Sequence, residues 1–278
     1  MTSAIFRIGG DLGVRRLGFG AMRLPSEPGP AREVSLAVAR RADELGVTLI
    51  DTAHMYGWGA NEELLAEALY PYVDGLVITT KVGIARSATA AGRKHDARPD
   101  VLRGQVEHAL RRLRVERIEL LQLHRIDPKV PLAEQLGALR ELQTEGKVGR
   151  IGLSEVSFTE LDQARKIVDV ASVQNRYSLL DREHEPVLAT CEAAGIAFLP
   201  WRPVASAAAA EIATVAAELD ATPAQVSLAW LLHHSPVILP IPGTGRIDHL
   251  EENLAAAHLH LDPAHLDRLD RLAEYEAS

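Results

Sequence analysis

Short apolar runs alternate with longer amphipathic segments along most of this chain. The runs have the length of β-strands, and most of them lack the strict polar alternation of a sheet with one face in water. Such near-continuous apolar runs are typical of parallel strands that are covered on both faces. The predicted strands are 14–20, 47–52, 76–81, 118–124, 148–153, 171–175, 196–201 and 237–241.

The segments between these strands carry helical periodicity and residues typical of helix ends. Pro99 and Pro223 stand near predicted helix starts, and Gly46, Gly146 and Gly195 stand just past predicted helix ends. Proline fits the first helical turn because its missing N–H is not needed there, and glycine fits the left-handed residue that ends many helices. Helices are predicted at 31–45, 61–69, 99–114, 132–145, 159–169, 184–194 and 222–233, with further helical pattern at 247–257 and 263–274.

Eight strand–helix units in 278 residues predict a single α/β domain, residues 1–278, with the (β/α)8 TIM-barrel fold. The rival fold is the doubly wound sheet, which needs the fingerprint G-x-G-x-x-G after its first strand; the stretch 18–23 reads GFGAMR and lacks the third glycine. A glycine-rich turn near residue 10 predicts an N-terminal β-hairpin that caps the bottom of the barrel. The last two helical patterns predict extra C-terminal helices.

Composition and charge narrow the possible functions. A net charge of −8 without a long basic run argues against nucleic-acid binding. The single cysteine, Cys191, excludes an intrachain disulfide and fits a reducing compartment. No secretory signal pattern and no bilayer-length apolar run is seen, so we expect a cytoplasmic protein without a membrane partner. No set of thiols, histidines and carboxylates with metal-ligand spacing stands out, and no metal site is expected.

Four polar residues stand at or just beyond the ends of three successive predicted strands: Asp51, Tyr56, Lys81 and His124. In a parallel barrel these ends meet at one rim. Lys81 would lower the pKa of the Tyr56 phenol, and Asp51 would keep the lysine charged. His124 would donate a hydrogen bond to a substrate oxygen or relay a proton to Tyr56. The set suits a phenol acid that polarises a carbonyl, although each residue alone also fits a turn, a loop anchor, a strand end or a core position.

The motifs around these residues resemble the successive signatures of the aldo-keto reductases. The resemblance implies an enzyme that reduces an aldehyde or ketone by hydride transfer from NADPH, with Tyr56 as general acid, Asp51 and Lys81 as its tuning pair and His124 as the orienting donor. The matching motifs are LIDTAHMYG at 49–57 with NEE at 61–63, TTKV at 79–82, LLQLH at 120–124, GKVGRIGLS at 146–154, SVQNRYS at 172–178, PW at 200–201, IPGTGR at 241–246 and LEENL at 250–254.

The same resemblance implies where the cofactor binds. Ser154 and Gln174 would hold the nicotinamide carboxamide, and Trp201 would stack on the ring. Arg246 would pair with the 2′-phosphate, which favours NADPH over NADH. The residues implied for the adenosine end are Gly243, Thr244, Arg246, His249, Glu252 and Asn253.

The chain departs from the family pattern at several of these positions. Glu155 stands where asparagine is common, so one carboxamide contact is expected to be altered or absent. Gly243 and His249 replace basic residues, so the phosphate contact depends more on Arg246. The segment after Trp201 lacks a long glycine-rich loop, which predicts an open cofactor cleft and fast cofactor exchange.

Substrate contacts are expected from residues that neighbour the catalytic strand ends: Met22, Met55, Trp58 and Arg125. The methionines and the tryptophan would form an apolar wall or serve as packing. Arg125 would either recognise an anionic group or be neutralised by Asp127. The expected partner is a small-molecule carbonyl compound, and the chain is expected to be a monomer or a weak homo-oligomer.

Two other function classes use the same residues. One is a lyase in which Lys81 forms a Schiff base with its substrate. The other is a cofactor-sensing regulatory subunit with little turnover, a role that some relatives serve for ion channels. A covalent adduct on Lys81, or cofactor binding without turnover, would separate these from the reductase.

Overall fold

A computed structural model describes residues 5–88, 92–204 and 210–272. Its strands are β1 (Ile5–Ile8), β2 (Leu12–Arg15), β3 (Phe19–Gly20), β4 (Leu49–Asp51), β5 (Val77–Val82), β6 (Ile84–Arg86), β7 (Arg93–His95), β8 (Ile118–Leu123), β9 (Val148–Ser154), β10 (Val170–Gln174) and β11 (Ala197–Phe198). Its α-helices are α1 (Pro30–Glu44), α2 (Ala60–Leu69), α3 (Pro99–Leu113), α4 (Leu132–Thr144), α5 (Phe158–Arg165), α6 (Glu185–Ala194), α7 (Ala210–Glu218), α8 (Pro223–His234), α9 (Ile247–Ala255) and α10 (Pro263–Asp270). Short 3-10 turns lie at Ala21–Arg23, Tyr56–Gly59 and Ala256–His258.

Seven parallel strands form the barrel sheet, in the order β11-β10-β9-β8-β5-β4-β3. The extended segment 237–243 closes it, because Ile238 bridges Phe198 on one side and Gly243 bridges Gly20 on the other. Two prolines in this segment have no N–H to donate, so it pairs through isolated bridges and not through a continuous ladder. The (β/α)8 barrel predicted from the sequence is confirmed.

The predicted strand 14–20 is divided between two sheets. Its first residues belong to β2, which pairs with β1 in an antiparallel hairpin, and its last residues are β3 of the barrel. The buried side chain of Arg16 lies between them and donates to the carbonyl groups of Ser235 and Ile238 at 2.6 and 3.2 Å. Those two hydrogen bonds hold the chain where it passes from the hairpin to the barrel.

The N-terminal hairpin closes one end of the barrel, as predicted. Ile8 and Val14 are fully buried and pack against Leu49, Val77 and Leu120 near the starts of the barrel strands. This end is apolar, so the polar strand ends lie at the opposite rim. No helix in the described parts of the chain is long and apolar enough to cross a membrane.

A second hairpin, β6–β7, follows β5 and was not predicted. Its return strand reads Arg-Lys-His and is fully exposed, so it has no apolar alternation to reveal it. The predicted helix 263–274 runs as α10 to Asp270, and residues 273–274 lie outside the described residues. The segment expected to leave the cofactor cleft open includes 205–209, which also lies outside them.

Candidate active site

The ends of β4 and β5 bring a buried ion pair against a tyrosine. The ammonium of Lys81 donates to Asp51 Oδ2 at 2.6 Å and to the carbonyl of Thr52 at 2.9 Å, and it lies 3.5 Å from the hydroxyl of Tyr56. Both charged residues are buried, and these contacts use the three ammonium protons. The positive charge is therefore held in one place, beside the phenol.

Two glutamines from more distant strands complete the surroundings of Asp51. Gln122 and Gln174 each direct their amide nitrogen at Asp51 Oδ1, at 3.2 and 2.9 Å, and Gln122 also donates to Thr79 Oγ1 at 3.0 Å. Gln122 and Thr79 were not predicted as site residues. Their signal in the sequence is a polar residue inside an otherwise apolar run, two positions before His124 and Lys81 respectively. With both oxygens paired, Asp51 serves to hold Lys81 charged.

The electrostatics of Tyr56 differ from the expectation. Lys81 lowers the pKa of Tyr56, as expected, but burial raises it by more, so the pKa of Tyr56 lies above its usual value. Burial by itself lowers the pKa of Lys81, but Asp51 and Tyr56 raise it by more, so its pKa lies above the usual value. At neutral pH the phenol keeps its proton and the ammonium keeps its charge.

His124 lies at the end of β8 with its ring edge-on to Tyr56, the ring centroids 6.2 Å apart. Burial, with help from Lys81 and Arg125, lowers the pKa of His124 well below its usual value, so the imidazole is neutral. No hydrogen bond joins His124 to Tyr56, and the buried Nδ1 has no partner among the described residues. Because Nδ1 is buried and His124 lines the cavity, Nε2 is the ring nitrogen that can meet a ligand.

The turn that carries Tyr56 is anchored by a polar network behind it. Arg112 of α3 donates to Glu62 Oε2 at 3.1 Å and lies 3.2 Å from His54 Nδ1. Thr80, the neighbour of Lys81, donates to the other oxygen of Glu62 at 2.6 Å. Burial first, and then the charge of Arg112, lowers the pKa of His54 to about 4. Packing of α2 and α3 thus fixes the loop between β4 and the tyrosine.

A cavity of about 1390 Å³ opens at this rim. It exceeds the roughly 300–1,000 Å³ of a typical small-molecule pocket, so it has room for two ligands side by side. Asp51, Tyr56 and His124 line it, together with three of the predicted substrate residues, Met22, Met55 and Arg125. Trp58 does not line it; its ring packs edge-on to His54 and beneath the guanidinium of Arg86.

The predicted cofactor residues fall into two groups. Five of them line the cavity: Ser154, Gln174, Trp201, Gly243 and Asn253. Four do not, and these are Thr244, Arg246, His249 and Glu252. Arg246, just before α9, is exposed and forms a two-pronged ion pair with Asp248, and the carboxylate of Glu252 accepts the hydroxyl of Thr222 at 2.6 Å.

Glu155 has a contact that the sequence did not indicate. Its backbone is left-handed, with φ of 55°, and its Oε1 accepts the indole N–H of Trp201 at 2.5 Å and the amide N–H of Arg176 at 2.8 Å. Asparagine adopts this backbone region more readily than glutamate. The carboxylate therefore holds Trp201 in position at the cavity wall.

Arg125 is not neutralised by Asp127, the pairing that we considered from the sequence. The carboxylate of Asp127 accepts two backbone N–H groups, at 3.3 and 2.9 Å, and is buried in the turn after β8. One terminal nitrogen of Arg125 donates instead to the carbonyl of His124 at 2.5 Å and to Ser154 Oγ at 3.1 Å. Its charge faces the cavity.

Comparisons with known proteins find relatives over nearly the whole chain. The model of the aldo/keto reductase family matches residues 16–274. An uncharacterized oxidoreductase of Schizosaccharomyces pombe is 44% identical, covering 96% of this chain and 89% of the relative, and pyridoxine 4-dehydrogenase of Escherichia coli is 39% identical, covering 98% and 99%. The crystal structure of an aldo-keto reductase from Klebsiella pneumoniae in complex with NADPH superposes with a TM-score of 0.85 at 29% identity, covering 98% of this chain and 96% of that one.

Proposed function

The chain belongs to the aldo/keto reductase family, and from that membership we propose that it reduces an aldehyde or ketone to the alcohol, with NADPH as the hydride donor and Tyr56 as the general acid. The observation that carries the proposal is the buried Asp51–Lys81 pair, whose ammonium lies 3.5 Å from the Tyr56 hydroxyl at the cavity wall. A fixed cation beside a phenol stabilises the phenolate that remains after proton transfer.

Each catalytic residue has one task in this mechanism. NADPH, when bound, supplies the hydride to the carbonyl carbon. Tyr56 donates its phenolic proton to the carbonyl oxygen, and Lys81 stabilises the resulting phenolate until water returns a proton. His124, which is neutral, carries its single N–H on Nε2 and donates it to the same oxygen. That tautomer leaves buried Nδ1 as a bare acceptor, which costs less than burying an unpaired donor.

The residues at the cavity fit a nicotinamide dinucleotide. The half-buried indole of Trp201, held by Glu155, offers a flat face, and Ser154 and Gln174, whose amide nitrogen is directed at Asp51, line the same cavity. Gly243 and Asn253 line the part of the cavity next to α9. At the start of that helix Arg246 would exchange Asp248 for the 2′-phosphate, and we assign Thr244, His249 and Glu252 to the same end of the cofactor.

The surroundings of Lys81 favour the reductase over the Schiff-base lyase. A Schiff base needs a neutral amine that the substrate can reach. Lys81 is 1% exposed, it donates to Asp51 and Thr52, and its pKa is raised. It supports the phenol without meeting the substrate.

Replacing Tyr56 by phenylalanine tests the proposal. NADPH oxidation, followed by its near-ultraviolet absorbance, is expected to slow about 10²–10⁴-fold with an aldehyde substrate, because the general acid is lost. Pyridoxal is the first aldehyde to test, given the similarity to pyridoxine 4-dehydrogenase. Quenching of tryptophan fluorescence by NADPH is expected to stay the same, and Tyr70→Phe, at an exposed tyrosine, is the matched control.

Equal rates in the native protein and Tyr56→Phe would remove Tyr56 as the acid. If NADPH binds to both proteins and neither turns over any aldehyde or ketone, the regulatory role replaces the reductase. A substrate adduct on Lys81 after borohydride treatment would favour the lyase.

A further inference from the structure

We propose that the physiological carbonyl substrate carries a carboxylate or phosphate, and that Arg125 binds this anionic group beside the reacting carbonyl. The proposal rests on the reductase function proposed above and adds the chemical class of its substrate. It comes from the way the guanidinium of Arg125 is placed and partnered.

The guanidinium of Arg125 is half-buried at the cavity wall and bonded only to neutral groups. One terminal nitrogen donates to the His124 carbonyl and to Ser154 Oγ. The other terminal nitrogen and Nε have no acceptor among the described residues, and no described carboxylate lies within ion-pairing distance. The free edge is the two-pronged face that arginine presents to a carboxylate or a phosphate.

The carboxylate whose charge acts on Arg125, that of Glu155, already has other hydrogen-bond partners. Burial lowers the pKa of Arg125, and the charge of Glu155 partly offsets that effect. Glu155 Oε1 accepts the N–H groups of Trp201 and Arg176, and Glu155 does not line the cavity. A partly desolvated cation without an anionic partner is costly, and a substrate anion would remove that cost.

The charge of the cavity supports the same conclusion. Seven lysine and arginine side chains line it against three carboxylates, although the chain as a whole has a net charge of −8. Two of those carboxylates, Asp51 and Asp181, are already paired with cations. Three of the seven cations, Lys94, Arg176 and Arg182, are likewise paired with carboxylates, so four described cavity cations have no ion pair. The phosphates of the cofactor would engage part of this excess near α9. Arg125 lies beyond their part of the cavity, directly after His124.

The hairpin β6–β7 adds to the positive charge on the catalytic side. It follows the strand of Lys81, and its residues Arg93 and His95 line the cavity. The charge of Arg93 acts on both His124 and Arg125, so it lies on their side of the cavity. Arg93 has no ion-pair partner in the parts of the chain that the structure describes. The positive charge of the hairpin thus attracts an anionic substrate to the cavity, where Arg125 binds the anionic group.

The position of Arg125 sets the shape of the substrate. It is the next residue after the donor His124, and its charge acts on Tyr56. Because Arg125, His124 and Tyr56 line the same cavity, we expect the anionic group to lie close to the carbonyl carbon, as in a short oxo acid or the phosphate ester of a compact aldehyde.

Two matched pairs of aldehydes test the proposal with the full-length protein and NADPH. Succinic semialdehyde with butanal isolates a carboxylate, and pyridoxal 5′-phosphate with pyridoxal isolates a phosphate. The anionic member of at least one pair is expected to have a kcat/KM at least about tenfold higher, since a hydrogen bond to a charged group contributes on this scale. The pair that responds identifies which anion the site takes.

Variants then locate the effect. Arg125→Gln is expected to bring the anionic-to-neutral ratio of kcat/KM close to one, and Arg125→Lys to restore part of it. The matched control is Arg176→Gln, at a cavity arginine that is already paired with Asp181 at 2.5 Å, and it should leave the ratio in place. Benzoate binding to the NADP⁺-loaded protein, measured by calorimetry against benzamide, should weaken about tenfold in Arg125→Gln.

The outcomes separate this proposal from the one it rests on. If native protein reduces the neutral and anionic aldehydes equally well, or if Arg125→Gln keeps the preference, the anionic substrate is refuted and the reductase stands. If no aldehyde of either pair is reduced while NADPH binds, the reductase function itself fails.

Discussion

Removing the charge of Lys81 should destabilise the fold, because Asp51 would keep a buried negative charge without its cation. In Lys81→Met the carboxylate retains only the amides of Gln122 and Gln174 on one oxygen. Breaking a buried ion pair from one side costs about 3–5 kcal/mol. Since two amide donors remain, we expect a loss of about 3 kcal/mol in the free energy of unfolding.

The double variant Asp51→Asn with Lys81→Met separates the ion pair from the packing. It removes both charges, and the new amide still offers an oxygen to the two glutamines. Replacing a buried pair by neutral groups is often close to neutral for stability, so most of the loss should be recovered.

Urea unfolding at pH about 8, followed by far-ultraviolet circular dichroism, measures the free energy of unfolding of each variant. Native protein, both single variants and the double variant form a mutant cycle. The reasoning is refuted if Lys81→Met is as stable as native protein at pH 8, or if the double variant loses as much as the sum of the two single variants.

Three further predictions concern residues that support the proposed active site without lining its cavity. Glu155→Ala should weaken NADPH binding about tenfold in fluorescence titrations, because the Trp201 indole loses the carboxylate that holds it. Asp248→Ala should improve the affinity for NADPH relative to NADH by up to about tenfold, because it frees Arg246 for the 2′-phosphate. The free energy of unfolding should fall as pH drops from 6.5 toward about 4, because His54 binds a proton in the unfolded chain before it does so in the folded one. His54→Asn should flatten that pH dependence in urea titrations.

Each of these has a result that would contradict it. Unchanged NADPH affinity in Glu155→Ala would show that the indole needs no anchor, with Glu155→Gln as the milder control. If the NADPH-to-NADH ratio stays the same in Asp248→Ala, Arg246 does not meet the phosphate. If the free energy of unfolding of His54→Asn falls as steeply toward acid pH as that of native protein, groups other than His54 cause the loss.

The order of most strands and helices followed from local pattern, and so did the gathering of the proposed catalytic residues. Asp51, Lys81 and His124 each end an apolar run, and the chain must turn there, so their gathering at one rim follows from parallel strands alone. The hairpin β6–β7 escaped prediction because its return strand is exposed and polar on both faces. The segment 237–241 was predicted as a strand from its apolar run, but the prolines at 240 and 242 reduce its pairing to bridges.

The contacts that tune the site depended on residues far apart in the chain. Gln174 reaches Asp51 across 123 positions, and Trp201 reaches Glu155 across 46, so no local pattern contains them. Sequence reasoning treated Lys81 as the main influence on Tyr56 and considered Asp127 as the partner of Arg125. In the structure, burial outweighs the cation at Tyr56, and Asp127 bonds to backbone groups.

The sequence alone determined the fold class and the four residues at or just beyond the strand ends, because hydrophobic period and strand-end position are properties of neighbouring residues. The family was indicated by the resemblance of its motifs. Only the tertiary structure decided the state of those residues and the charge of their surroundings. A pKa depends on how much water is excluded, and the excess of cations at the cavity depends on which pairs already neutralise each other. Both are set by the packing of distant elements, which is why Arg125 emerged as an unpaired cation only once the barrel was assembled.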